Sequence, residues 1–232
     1  MFRYLLSGGS LGSYAVSLLL TLPVLLFSLS AHEAAHAAAA DLMGDPTARN
    51  FGRMTLNPLK HLNPMGTLCM LFCGFGWANP VPVDSRNFRK PRLGIAVTAL
   101  AGPLANLLLS VVSLCFMRFL CYGFLWQLNL TNETAVNAVY FLTLLFYYGV
   151  YMNLTLAIFN LLPVPPLDGS RILLPLLPPR LTFRIARYER QIVLVVTLLL
   201  LLGPLSWLIS FVTDKLLLLL FRLFGMSGFL IS

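Results

Sequence analysis

Four stretches of the chain carry no charged residue: Tyr4 to His32, Leu93 to Met117, Thr134 to Leu167 and Gln191 to Thr213. Each can supply the roughly 20 apolar residues that cross a hydrocarbon core of about 30 Å. They predict membrane-crossing helices near Ser13–Leu42, Leu93–Arg118, Ala138–Leu162 and Gln191–Phe211. Asp41 and Gly44-Asp45-Pro46 stop the first, and Pro163-Val164-Pro165-Pro166 breaks the third. The apolar tail from Leu216 is short, and its pattern suits a crossing, an interfacial position or packing on the bundle equally.

One apolar stretch differs. Residues 64–83 are interrupted by Gly66, Gly74, Gly76, Pro80 and Pro82, and basic residues flank both sides. Both ends then belong on one face, which predicts a re-entrant segment. Irregular backbone at membrane depth needs shelter by protein or a wet cavity. Residues 76–83 also alternate like a strand around Pro82. The expected fold is an all-α polytopic transmembrane helix bundle with a re-entrant Gly/Pro-rich segment that can hold short β-strands. Residues 1–232 read as a single membrane-embedded domain, with no soluble domain, internal repeat or low-complexity linker.

Composition agrees. The chain is 58% hydrophobic and only 10% charged, where a soluble domain has about 25% charged residues. Arg3 before the first apolar run resembles a leader, but the run is too long and leads straight into His32, which predicts a retained helix. The net charge of +8 invites a nucleic-acid reading. Its distribution does not support one. Arg49, Arg53, Lys60, Arg86, Arg89, Lys90 and Arg92 form one block, and Arg171, Arg180, Arg184, Arg187 and Arg190 a second. Loops enriched in this way stay in the cytoplasm, so the excess reports the topology of a multi-pass protein of the cell membrane. Cys69, Cys73, Cys115 and Cys121 lie in or beside apolar segments without metal-ribbon spacing, as small hydrophobes do.

Two of the three histidines stand four apart, in His32-Glu33-Ala34-Ala35-His36. On a helix these positions differ by about 40° in direction and about 6 Å in height. Both imidazoles can therefore reach one tetrahedral zinc ion, with Glu33 beside them to take a proton from water. A chance match is common in soluble proteins. Inside a span, each ionisable residue costs about 2.5–3.5 kcal/mol on insertion scales, which favours a metal.

Zinc needs a third protein ligand, and only eight residues are acidic. Glu33 is the expected base. Asp41, Asp45, Asp84, Glu133, Glu189 and Asp214 sit near span ends or in polar loops. Asp168 alone follows a long apolar stretch, at a proline-rich corner ending in Gly169, where an unwound backbone can aim a carboxylate inward. As alternatives, Asp168 caps the helix starting at Ser170, or His61 is the third ligand.

The motif HExxH, then Ala101-Gly102-Pro103-Leu104-Ala105-Asn106, then Asn160 to Gly169 as NxxPxPxxDG, resembles the site-2 protease family of intramembrane zinc metalloproteases. Gly74-Phe75-Gly76-Trp77-Ala78-Asn79-Pro80-Val81-Pro82-Val83 resembles its compact bacterial and archaeal members, and no PDZ-like insertion is present. The resemblance implies one Zn²⁺ per chain on His32, His36 and Asp168, water activation by Glu33, and Asn160 near the scissile carbonyl. It also implies that residues 76–83, with Trp77 and Asn79, lie beside the site. Asn106 either lines the site or bridges helices.

The reaction implied is hydrolysis of a peptide bond in or near a transmembrane segment of a protein or peptide substrate, reached from the cytoplasmic side within the lipid bilayer. The alternatives are a membrane zinc transporter, for which the chain offers few polar residues across the membrane, and a non-catalytic zinc-binding adaptor, which would not require Glu33. Sequence leaves the substrate and the oligomeric state open.

Overall fold

A computed structural model describes residues 11–66, 69, 79–124 and 133–226. Its main helices are α1 (Leu11–Leu42), α2 (Pro91–Arg118), α3 (Glu133–Asn160), α4 (Asp168–Leu173), α5 (Pro179–Arg187), α6 (Glu189–Leu202) and α7 (Pro204–Leu223). Among the described residues, α1, α2, α3 and α7 are long and apolar enough to cross a membrane. A π-helical turn, Phe119–Phe124, extends α2.

Lipid gives apolar helices no hydrophobic reason to associate, so close packing of small residues and polar bridges must hold them. On α2 the buried positions Gly94, Thr98, Gly102, Asn106 and Ser110 recur every four residues and form one narrow stripe. Ala37, Ala39 and Ala40 of α1 are buried as well. Through such small side chains α2 packs between α1 and α3. Larger side chains fill a separate part of the bundle: Leu114 and Met117 of α2, Val150 and Leu154 of α3, Leu217 and Phe221 of α7, and Met226. Leu100, Leu104 and Leu108 are exposed on α2, as lipid-facing residues should be.

One predicted helix is corrected. Gln191–Phe211 is not a single span, because α6 ends before Gly203, which has φ +106°, and Pro204 opens α7. A left-handed glycine ends a helix, and proline suits the first position of the next. With 14 residues, α6 is about 21 Å long, short of a hydrocarbon core. The apolar tail from Leu216 instead belongs to span-length α7, despite Asp214 and Lys215 within it.

The expected re-entrant path falls mostly on residues 67, 68 and 70–78, outside the described residues. Residues 79–83 have no helical structure, and no β-sheet occurs among the described residues.

Candidate metal centre

His32 and His36 lie one turn apart on α1, and both are buried. Asp168 reaches them from a distant part of the sequence. After α3 ends at Asn160, the proline-rich corner carries the chain back, and Asp168 falls in the first turn of α4. Gly169 makes that turn possible: a Cβ there would stand 2.3 Å from the carbonyl oxygen of Leu161 and 2.4 Å from that of Leu162. Leu167, not Asp168, occupies the N-cap position of α4.

The Asp168 Oδ2 is 3.1 Å from His32 Nε2 and 3.2 Å from His36 Nε2. The two Nε2 atoms are 3.0 Å apart. Among the described residues this is the one group of three His, Cys or carboxylate side chains whose ligand atoms converge.

The partners behind the rings decide what converges. His36 Nδ1 is 2.7 Å from the Thr98 carbonyl oxygen, which can only accept, so Nδ1 carries the proton. His32 Nδ1 donates in the same way to Asn106 Oδ1 at 2.6 Å. In the neutral rings each Nε2 therefore presents a lone pair, and neither can donate to the other or to Asp168. Two lone pairs and a carboxylate oxygen at 3.0–3.2 Å repel unless a proton or a metal ion joins them. Tetrahedral zinc, with ligands at about 2.0–2.1 Å, has ligand–ligand edges of about 3.3 Å. The donor set and its spacing fit zinc.

A cavity of about 610 Å³ opens over this group. Its walls include Glu33, the Pro80, Val81 and Val83 segment, Thr98 and Ala99 of α2, Asn160, Leu167 and Arg171. Glu33 Oε2 accepts a hydrogen bond from the Val81 N–H at 3.0 Å. Asn160, the last residue of α3, donates through Nδ2 to the Leu156 carbonyl at 3.0 Å.

Other predicted residues stand elsewhere. Asn106 is fully buried behind His32, where it meets both the His32 ring and, at 2.9 Å, Asn153 Oδ1 of α3, and it is not among the residues that line the cavity. Asn79 turns towards the preceding loop, donating to the Leu62 carbonyl and accepting from Asn63, both at 3.0 Å. Trp77 lies outside the described residues. His61 donates through Nε2 to the Thr55 carbonyl at 2.9 Å and does not join the converging group.

Sequence reasoning missed Thr98, Arg171 and Asn153, and it placed Val81 beside the site only as part of residues 76–83. Thr98 and Val81 make their contacts through backbone groups, which a sequence does not display. Asn153 carried a readable signal, a polar side chain in an apolar span.

Residues 20–204 match the family described as Peptidase family M50. The chain belongs to this family. YwhC of Bacillus subtilis (strain 168) is 40% identical over 177 residues, covering 76% of this chain and 78% of its own. Rip2 of Mycolicibacterium smegmatis is 30% identical over 226 residues, covering 95% and 80%. Rip2 of Mycobacterium tuberculosis is 31% identical over 199 residues, covering 83% and 70%. All three are named as candidate zinc metalloproteases. No solved structure matches significantly. This M50 member is a multi-pass membrane zinc metallopeptidase of the site-2 protease type.

Proposed function

We infer that this M50 peptidase cleaves peptide bonds within or near transmembrane segments of membrane-protein substrates. In this reading His32, His36 and Asp168 hold the zinc and Glu33 is the general base. The supporting observation is that three lone-pair donors converge on a cavity that Glu33 and Asn160 also line.

Bound zinc supplies a Lewis acid that polarises a carbonyl and brings the pKa of water towards about 7. The protein's own groups do the rest. The Val81 N–H holds Glu33 Oε2, leaving Oε1 to take a proton from water and return it to the leaving amine. Asn160 uses one amide hydrogen on Leu156. Its second amide hydrogen serves as a donor to the negative charge developing on the scissile carbonyl oxygen.

A helical substrate hides its carbonyls in its own hydrogen bonds, so it must unwind before cleavage. Helix-breaking residues near the cut favour that step. His32 precedes the end of α1 by about ten residues, or about 15 Å along the axis, so water needs a channel. The basic block after α1 favours entry from the cytoplasmic face of the cell membrane.

Glu33→Gln tests the reading in detergent-purified protein, with zinc content and cleavage of candidate membrane peptides measured together. The variant should keep one zinc per chain and lose about 10²–10⁴-fold in turnover. Wild-type cleavage by the variant would refute the assignment of the base. Zinc flux across proteoliposomes that survives E33Q, without peptide cleavage by the wild type, would point to transport instead.

A further inference from the structure

We propose that Asn153, which does not line the cavity, is a positioning residue for the metal centre: acting through Asn106, it holds His32 in the tautomer that offers Nε2 to the ion. The proposal rests on His32 being a zinc ligand.

The chain of hydrogen bonds starts at a backbone carbonyl. The Gly149 oxygen can only accept, so the Asn153 atom 2.8 Å from it must be the amide nitrogen. Asn153 Oδ1 then points the other way, 2.9 Å from Asn106. The Asn106 atom facing it must donate and is therefore Nδ2. The Ser28 carbonyl, 3.4 Å from the same nitrogen, acts in the same direction but from farther away. This leaves Asn106 Oδ1 towards His32, which must carry its proton on Nδ1. Each link has one permitted polarity, and both asparagines are buried from solvent. Reversing either amide would set like groups face to face.

The two ligand histidines differ in their need for such a lock. His36 rests on the Thr98 backbone carbonyl, which cannot present a donor. His32 rests on a side-chain amide, which becomes a donor if it turns over. A turned Asn106 would draw the proton to Nε2 and block the metal-binding lone pair. Asn153 closes that route with a backbone-anchored amide from a third helix. An ordinary bridge between α2 and α3 would hold the helices together but would not govern the ring's proton.

The test uses the full chain in detergent, with three readouts: ¹⁵N chemical shifts of the His32 ring in zinc-free protein, the zinc dissociation constant from chelator competition, and the thermal midpoint. N153L should give a mixed His32 tautomer and weaken zinc binding by up to about tenfold, the lower end of effects at groups that orient metal ligands. N153D can only accept from Asn106, so it should keep the Nδ1–H tautomer even if the protein is less stable, and it decides the matter should N153L not fold. A wild-type tautomer and zinc affinity in N153L, or a changed tautomer in N153D, would overturn the proposal. His32→Ala separates the two ideas. If it leaves zinc affinity unchanged, the ligand assignment fails; if it abolishes binding while N153L matches wild type, the positioning role alone fails.

Discussion

Gly102 of α2 lies so close beneath His36 that a Cβ built on it would stand 2.5 Å from Nε2 of that ring and 2.6 Å from Nε2 of His32. The backbone of α2 thus forms one side of the metal centre, and the absence of a side chain leaves both ligand atoms room to face Asp168. Thr98 and Asn106, one turn to either side of Gly102, meet the Nδ1 atoms of the same two rings.

Gly102→Ala should therefore separate binding from folding. Alanine is favoured over glycine by about 1 kcal/mol in a helix interior, so the helix itself does not suffer. The rings must move, and zinc affinity should fall by about tenfold or more. Metal analysis and thermal melting on the same preparation check this. Full zinc occupancy with unchanged affinity would contradict the close contact.

The Val81 N–H is a second point at which the backbone meets the proposed machinery, since among the described residues it alone is seen to hold Glu33 Oε2. Val81→Pro removes the donor within a stretch that already has Pro80 and Pro82 and no helical structure. Turnover should drop about tenfold to a hundredfold, the loss expected of one hydrogen bond to a charged group. Zinc content should stay at the wild-type level, because none of the converging ligands touches this N–H. Parallel loss of zinc and turnover would mean that the segment supports the whole site and not Glu33 in particular.

These two positions also mark where sequence stops informing. The four-residue spacing of His32 and His36 has one geometric outcome on a helix, and Asp168 emerged because so few carboxylates were available to compete. Both inferences rest on side-chain identity, which a sequence carries. A backbone carbonyl like that of Thr98 belongs to every residue, and an N–H like that of Val81 to every residue but proline, so only the packing of α2 and residues 79–83 against α1 singles them out. The error at Gln191–Phe211 has a different origin. Apolar character runs unbroken across Gly203-Pro204, and hydropathy outweighed two residues whose backbone chemistry ends one helix and begins another.

Zinc removal should loosen the fold as well as abolish activity. The converging donors join α1 to α4, elements far apart in the chain, and without a cation their lone pairs repel. A ligand present at about 1,000 times its Kd stabilises by about 4 kcal/mol. Chelation should lower the thermal midpoint of the wild type by several degrees, and readdition of zinc should restore it. In Asp168→Ala the same chelator should change little. An identical chelator effect in both proteins would detach the stabilisation from this site.

Asp45 predicts how acid acts on the end of the bundle where α1 stops. It is fully buried in the turn after α1. Its Oδ1 accepts from the Thr47 hydroxyl, from the Thr47 N–H at 3.1 Å and from Asn87 Nδ2 at 2.9 Å. Its Oδ2 accepts from the Asp84 N–H at 2.7 Å. The carboxylate so ties the end of α1 to the segment that leads into α2. Burial alone would raise its pKa, but the hydrogen bonds from Thr47, Asn87 and Asp84 outweigh burial and hold it below the ordinary value of 3.8. Because the folded pKa is the lower one, the stabilisation is complete above the ordinary value and fades as pH falls through the folded value. Asp45→Asn must turn an NH₂ towards one of these donors, which should cost about 1–3 kcal/mol at neutral pH. The stability gap between wild type and D45N should then narrow below about pH 4, as the wild-type carboxylate takes up its proton. Asp84, held at about 2 by Arg86, titrates in both proteins and largely cancels in the difference. Thermal melts of the pair from about pH 7 down to about pH 3 measure the gap, and a gap of constant size across that range would disconnect Asp45 from the acid response.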